Sequence, residues 1–220
     1  ASMLDLLLAR EYSGADVVGT PAEFVFLEDL DRTVRRHGTP RDASERFASI
    51  VAGGTITNCT IHNNTGPTPT TFFNGYGGGV YMTGGLLVKS SVISNEFFTN
   101  TRGMGIYASG SGVVISHCNI SYNKDTRDAN AAGVCLEGGA KLRNSLVRGN
   151  TLSCVSGAEQ GGGVYMTGAG TLVESCTIIE NTMANGSGGG IYMAGGAVSN
   201  SIVYFNNASP GANHVAGGNG

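Results

Sequence analysis

Ile56-Thr57-Asn58-Cys59-Thr60-Ile61-His62-Asn63-Asn64 is a nine-residue frame that returns at 87–95, 115–123, 142–150, 173–181 and 198–206. Its first position is always Ile, Leu or Val. Its sixth is Ile61, Val92, Ile120, Val147, Ile178 and Val203, and its ninth is asparagine throughout. Between copies stands a second motif: Gly79-Val80-Tyr81-Met82, Gly105-Ile106-Tyr107-Ala108, Gly133-Val134-Cys135-Leu136, Gly163-Val164-Tyr165-Met166 and Gly190-Ile191-Tyr192-Met193. The asparagines are 31, 28, 27, 31 and 25 residues apart, so a constant rung alternates with loops of variable length. Repetition of this period marks a solenoid, in which each repeat buries its apolar side only against its neighbours.

The repeating segments are short, β-branched and bounded by Gly, Asn and Ser, as strands are. Glycine makes up 36 of 220 residues, and each one inside a helix would cost roughly 0.8–1 kcal/mol relative to alanine. With five prolines and no G-X-Y period the chain is not collagen-like, and 40% hydrophobic residues suffice for a core. The expected fold is all-β: a parallel β-helix of at least six coils over residues 49–220. Coils stacked about 4.8 Å apart turn each sequence column into a ladder along the axis.

Alternation assigns the faces. Val80, Ile106, Val134, Val164 and Ile191 point inward, followed by Met82, Ala108, Leu136, Met166 and Met193, while the tyrosines between them point outward. A bend is expected between Ile56 and Cys59, giving three short strands per coil. Asn64, Asn95, Asn123, Asn150, Asn181 and Asn206 are read as structural: asparagine tolerates the left-handed conformation of a sharp turn, and stacked amides can bond to one another. Another column reads Cys59, Ser90, Cys118, Ser145, Cys176, Ser201. Its cysteines sit two rungs, about 9.6 Å, apart, beyond the roughly 7 Å Cα separation a disulfide allows. They are expected to be reduced and buried. The pairing of Cys135 and Cys154 stays open.

Residues 1–48 carry no repeat but 15 of the 29 charged residues. They read as an N-terminal cap or linker, with short helices at 2–11 and 43–50 and a strand at 24–27. The chain stops at Gly217-Gly218-Asn219-Gly220, where another coil could begin, so a C-terminally truncated solenoid is expected. A net charge of −3 with scattered basic residues argues against nucleic acid as a partner. No apolar run reaches the roughly 20 residues of a membrane helix, and residues 4–9 lack the basic start and cleavage site of an export signal.

The steps Gly78-Gly79-Val80, Gly162-Gly163-Val164 and Gly189-Gly190-Ile191, paired with Ile61-x-x-Asn64 through Val203-x-x-Asn206, resemble right-handed parallel β-helix proteins of the pectin-lyase-like superfamily. Within it they are most similar to bacterial surface repeats of the autotransporter and polymorphic outer-membrane type, although the phenylalanine of the latter's FxxN step is missing. The resemblance implies right-handed coiling, in line with the rule for parallel crossovers. It also implies export and an extracellular or cell-surface role.

The outward column Tyr81, Tyr107, Tyr165 and Tyr192, interrupted by Cys135, is the candidate binding surface, because aromatic faces can lie against sugar rings. The same column also reads as cross-strand stacking beneath loops. For a polysaccharide lyase, calcium would be the cofactor and Asp125 and Asp128 its weak candidate ligands. One loop offers only two carboxylates, however, where calcium wants several converging oxygens, so no metal or other cofactor is expected outside that reading. For a glycoside hydrolase, Glu137, Glu174 and Glu180 are the repeat-borne acids, but two would have to oppose one another across a cleft. His62 and His117 read as surface residues. The leading expectation is a non-catalytic scaffold binding glycan or protein. A glycan-cleaving enzyme and a purely structural stalk are the alternatives.

Overall fold

The computed structural model describes residues 32–35, 49–64, 74–97, 100–126, 130–153 and 159–217. All regular structure within them is strand, and every strand pairing is parallel. One seven-stranded sheet stacks Arg32–Arg35, Cys59–His62, Ser91–Ile93, Asn119–Ser121, Leu146–Arg148, Thr177–Ile179 and Ile202–Tyr204. A second sheet holds both the glycine-led motif and the strand after it. The nine-residue strands Ser49–Thr57 and Val80–Val88 run through both halves and join them. The six asparagines enclose about five turns.

The columns stack as the repeat requires. Ile61, Val92, Ile120, Val147 and Ile178 lie in register with one another, as do Val80, Ile106, Val134, Val164 and Ile191. All of these are buried and form one apolar cluster with Met82, Leu136 and Met166, against which Met193 packs partly buried. The reason is geometric: a β-branched residue above its own kind fills a constant cross-section without changing rotamer.

Three expectations are corrected. Each coil has more than three strands, because a short strand follows every ladder asparagine after Asn64: Glu96–Phe97, Lys124–Asp125, Thr151–Leu152, Thr182–Ser187 and Asn207–Pro210. The helix expected at 43–50 fails at its end, where Ser49 and Ile50 open a strand. Arg32–Arg35 adds an unforeseen rung beside Cys59–His62. The readings of residues 2–11 and 24–27, and the rest of the expected cap, lie outside the described residues.

A further correction concerns the turns. The ladder asparagines are not themselves left-handed. The residue before each one is, in the series Asn63, Ser94, Tyr122, Gly149, Glu180 and Phe205. A second left-handed series, Asn58, Lys89, His117, Asn144, Ser175 and Asn200, precedes the Cys/Ser column. Eleven of these twelve are not glycine, although a left-handed backbone costs roughly 1–2 kcal/mol in an L-residue. Something must hold them there, and the two ladders that follow the corners do.

In the asparagine ladder each side chain reaches the next rung. Nδ2 of Asn64 donates to Oδ1 of Asn95 at 2.7 Å, and the series continues through Asn123, Asn150 and Asn181 to Asn206 at 2.7–2.9 Å. The same Oδ1 atoms also accept the backbone N–H of the preceding asparagine at 3.0–3.1 Å. All six are buried. The glycine of the second motif faces this line across the coil. A Cβ on Gly105 would stand 2.8 Å from Asn123 Nδ2, and one on Gly163 would stand 2.8 Å from Asn181 Nδ2. The two sequence motifs therefore occur together because one leaves the space that the other's amide fills.

The cysteine column alternates with serine for a related reason. Cys59, Cys118 and Cys176 are buried and not disulfide-bonded. Their backbone N–H groups donate to Ser90, Ser145 and Ser201 Oγ at 3.1–3.2 Å. Ser145→Ala orphans the Cys118 N–H and should cost about 1–3 kcal/mol. Cys118→Ser places a hydroxyl where alternate rungs already carry one and should cost less than about 1 kcal/mol. Urea unfolding of both variants checks this, and equal losses would contradict it.

Candidate functional site

The outward column next to Val80 runs Tyr81, Tyr107, Cys135, Tyr165, Tyr192, Ala216, in register rung by rung. Tyr81 and Tyr107 stack at 5.4 Å between centroids and 12° between planes. Tyr165 and Tyr192 stack at 5.9 Å and 6°. Cys135 separates the pairs. The candidate residues thus lie on one face but in two halves of different character.

In the Tyr81–Tyr107 half, Tyr107 is covered. Tyr76 lies edge-on to Tyr107 at 4.7 Å. Tyr107 is buried, so it offers no ring face to a ligand. Its hydroxyl donates to Glu137 Oε2 at 2.7 Å, while Glu137 Oε1 is paired with Arg102 Nη1 at 3.1 Å. Cys135 beneath is fully buried and close to the same carboxylate. Burial, then the Glu137 bond and charge, pushes the Tyr107 hydroxyl well up, and burial likewise pushes the Cys135 thiol well up. Burial alone would lower the Arg102 value, but Glu137 together with Cys135, Tyr76 and Tyr165 offsets it and the net direction is upward. This half is a satisfied polar cluster. Tyr81, Tyr165 and Tyr192 are half-buried; Tyr81 has Tyr76 edge-on at 6.3 Å as well as Tyr107 stacked on it. Burial also raises Tyr165, followed by the Cys135 and Glu137 charges.

These groups set the alkaline limit of the fold. Burial is the leading cause that raises Tyr107, Cys118 (to about 11), Cys135 and Cys176. Below about pH 8.5 folded and unfolded chains alike keep these protons. Above it the unfolded chain releases them from ordinary values of 9.0 and 10.0 while the folded chain retains them, so stability must fall with rising pH. Urea midpoints should be level from pH 7 to about 8.5 and decline beyond. A level midpoint through pH 11 would contradict this reading.

The other candidates are dispersed. Asp125, expected on a loop as a weak calcium ligand, is buried in the strand Lys124–Asp125, in the column of Phe97 and Leu152. It points into the coil because Lys124 takes the outward position, where it pairs with Glu96 at 2.8 Å. Asp128 and Cys154 lie outside the described residues. Glu137, Glu174 and Glu180 are tied separately to Arg102, Arg143 and Arg148, at 3.1, 3.1 and 2.7 Å. Among the described residues no group of three or more His, Cys, Asp or Glu could hold a metal ion, and no helix is long and apolar enough to cross a membrane.

The sequence reading missed the column that borders the tyrosines. Tyr76 pairs with Arg102, Asn130 bridges to Gln160, and Gln160 pairs with Ser187. Gly103 N–H bonds to the Asn130 carbonyl, completing the line. Its signal in the sequence was position, one residue before Gly77, Gly103, Ala131, Gly161 and Gly188, all of which have positive φ.

Residues 43–172 match the family model described as a right handed beta helix region, 130 of the 220 residues. No curated protein and no solved structure matches the chain.

Proposed function

The chain belongs to the right-handed β-helix family, and from that premise we propose that it is a non-catalytic scaffold that binds glycan on its tyrosine face. The observation that carries this reading is the half-exposed Tyr165–Tyr192 pair, two parallel rings on a rigid lateral surface. Aromatic rings fixed by their neighbours bind sugar rings without losing side-chain entropy on association. Display outside the cell, on the surface or secreted, is part of the proposal and rests on the resemblance of the Gly-Gly-aliphatic and x-x-Asn steps to bacterial surface repeats. The pairing of each repeat-borne glutamate with an arginine favours binding over hydrolysis.

A glycan array probed with the labelled protein tests the reading. The wild-type chain should retain a defined set of glycans, and Tyr192→Ala should lose it. Tyr204→Ala should keep it, since Tyr204 is an exposed aromatic on a different sheet. An empty array, or one unchanged by Tyr192→Ala, would overturn the proposal.

A further inference from the structure

We propose that the Tyr165–Tyr192 subsite selects uncharged glycans over acidic ones, with Asn130 and Gln160 supplying the polar contacts; this rests on the glycan-binding reading above.

The first observation is an open ring face. Tyr192 has one face against Tyr165, and its neighbour on the following rung is Ala216. A methyl group covers far less than a ring, so the second face of Tyr192 is available to a flat ligand. The neighbouring rung lies about 4.8 Å away, close to the length of one sugar unit along a chain.

The second observation is the offset between the two columns. Tyr76 shares a coil with Tyr81, yet its ring is closer to Tyr107 of the next coil, at 4.7 Å against 6.3 Å. Arg102, in the coil of Tyr107, likewise reaches Glu137 of the next. Carried along the stack, the same one-rung offset would set Asn130 alongside Tyr165 and Gln160 alongside Tyr192. A primary amide both donates and accepts, which suits a hydroxyl that does the same.

The third observation is charge. Among the described residues, the outward positions level with this pair are Gln160, Thr167, Ser187 and Ala194, with Ala216 on the following rung, and none of these is ionisable. Glu137 of the preceding coil and the exposed Arg102 act on Tyr165, but they pair with each other at 3.1 Å. A carboxylated sugar would lose hydration here and meet only a cation that already has its carboxylate. A neutral sugar would exchange water for amides and hydroxyls.

The test is calorimetric titration of the full chain with cellohexaose, xylohexaose and mannohexaose, set against hexagalacturonate, at low and high salt. At least one neutral hexasaccharide should bind with an affinity that salt does not change. Gln160→Ala should weaken it about fivefold, as the loss of one hydrogen bond would, and Tyr192→Ala about tenfold or more. Retained circular dichroism checks that both variants fold. Salt-sensitive binding of hexagalacturonate alone, lost in Tyr192→Ala, would overturn the neutral selectivity while leaving the site in place. Neutral binding unaffected by Gln160→Ala and Asn130→Ala would overturn the role of the amide column. Binding by neither class would overturn both this inference and the glycan-binding reading.

Discussion

Asn150→Ala is expected to remove about 4 kcal/mol of folding free energy. Oδ1 of Asn150 accepts two bonds, from Asn123 N–H at 3.0 Å and from Asn123 Nδ2 at 2.9 Å. Nδ2 of Asn150 donates to Asn181 Oδ1 at 2.9 Å and to the Ile120 carbonyl at 3.1 Å. Truncation leaves two donors and two acceptors without these bonds, at a site closed to water. Each orphaned buried donor costs roughly 1–3 kcal/mol, so the donors alone account for most of the loss. Domains of this size are stable by only about 5–15 kcal/mol. The defect also lies mid-stack, where a solenoid transmits stability only between neighbours. The urea transition should therefore broaden as well as shift, because the coils on either side uncouple. A loss below about 1 kcal/mol, with the wild-type slope, would show that the amides are not bonded in line.

The second large effect is steric. An alanine Cβ at position 163 would stand 2.7 Å from the Gly190 carbonyl oxygen and 2.8 Å from Asn181 Nδ2. Neither can retreat. The carbonyl accepts the Val164 N–H at 2.8 Å, and the amide is a ladder member. Overpacking typically costs about 1–3 kcal/mol, and with only bonded backbone and amide to displace, Gly163→Ala should lie at the upper end. Gly112→Ala is the matched control. Nothing lies within 4 Å of its Cβ and its φ is ordinary, so the change should stay within about 0.5 kcal/mol of wild type. Thermal or urea unfolding of the two variants separates crowding from the general effect of adding a methyl group. Equal outcomes would mean that the glycine column does not face the ladder.

The columns that repeat residue for residue were legible in the sequence. Asn64 through Asn206 and Val80 through Ile191 announced themselves because the cross-section of the coil permits one solution at each. Where the solution is looser the signal faded. The left-handed corners admit Asn58, Lys89, His117 and Phe205 alike, since ladder bonds hold the backbone whatever the side chain, and no residue type marks them. The strand Lys124–Asp125 is two residues long, too short for alternation to show that Asp125 turns inward. Position would have shown it: Asp125 stands two residues after its ladder asparagine, as Phe97, Leu152, Met183 and Ala208 do.

The tyrosine face was half legible. Period-2 alternation placed Tyr81, Tyr107, Tyr165 and Tyr192 on one side. It could not show that Tyr76, from the adjoining column, closes over Tyr107, which is buried while Tyr81, Tyr165 and Tyr192 stay half-buried. That closure depends on the offset between two columns whose residues, Tyr76, Arg102, Asn130, Gln160 and Ser187, share no type.

Hydrogen exchange at the asparagine side chains, followed by nuclear magnetic resonance in heavy water, reads the rung-to-rung line itself. The NH2 protons of Asn123, Asn150 and Asn181, bonded to the next amide and to the Val92, Ile120 and Val147 carbonyls, should exchange as slowly as the core backbone amides. Exchange of these protons as fast as those of exposed Asn58 and Asn144 would contradict the stacked register.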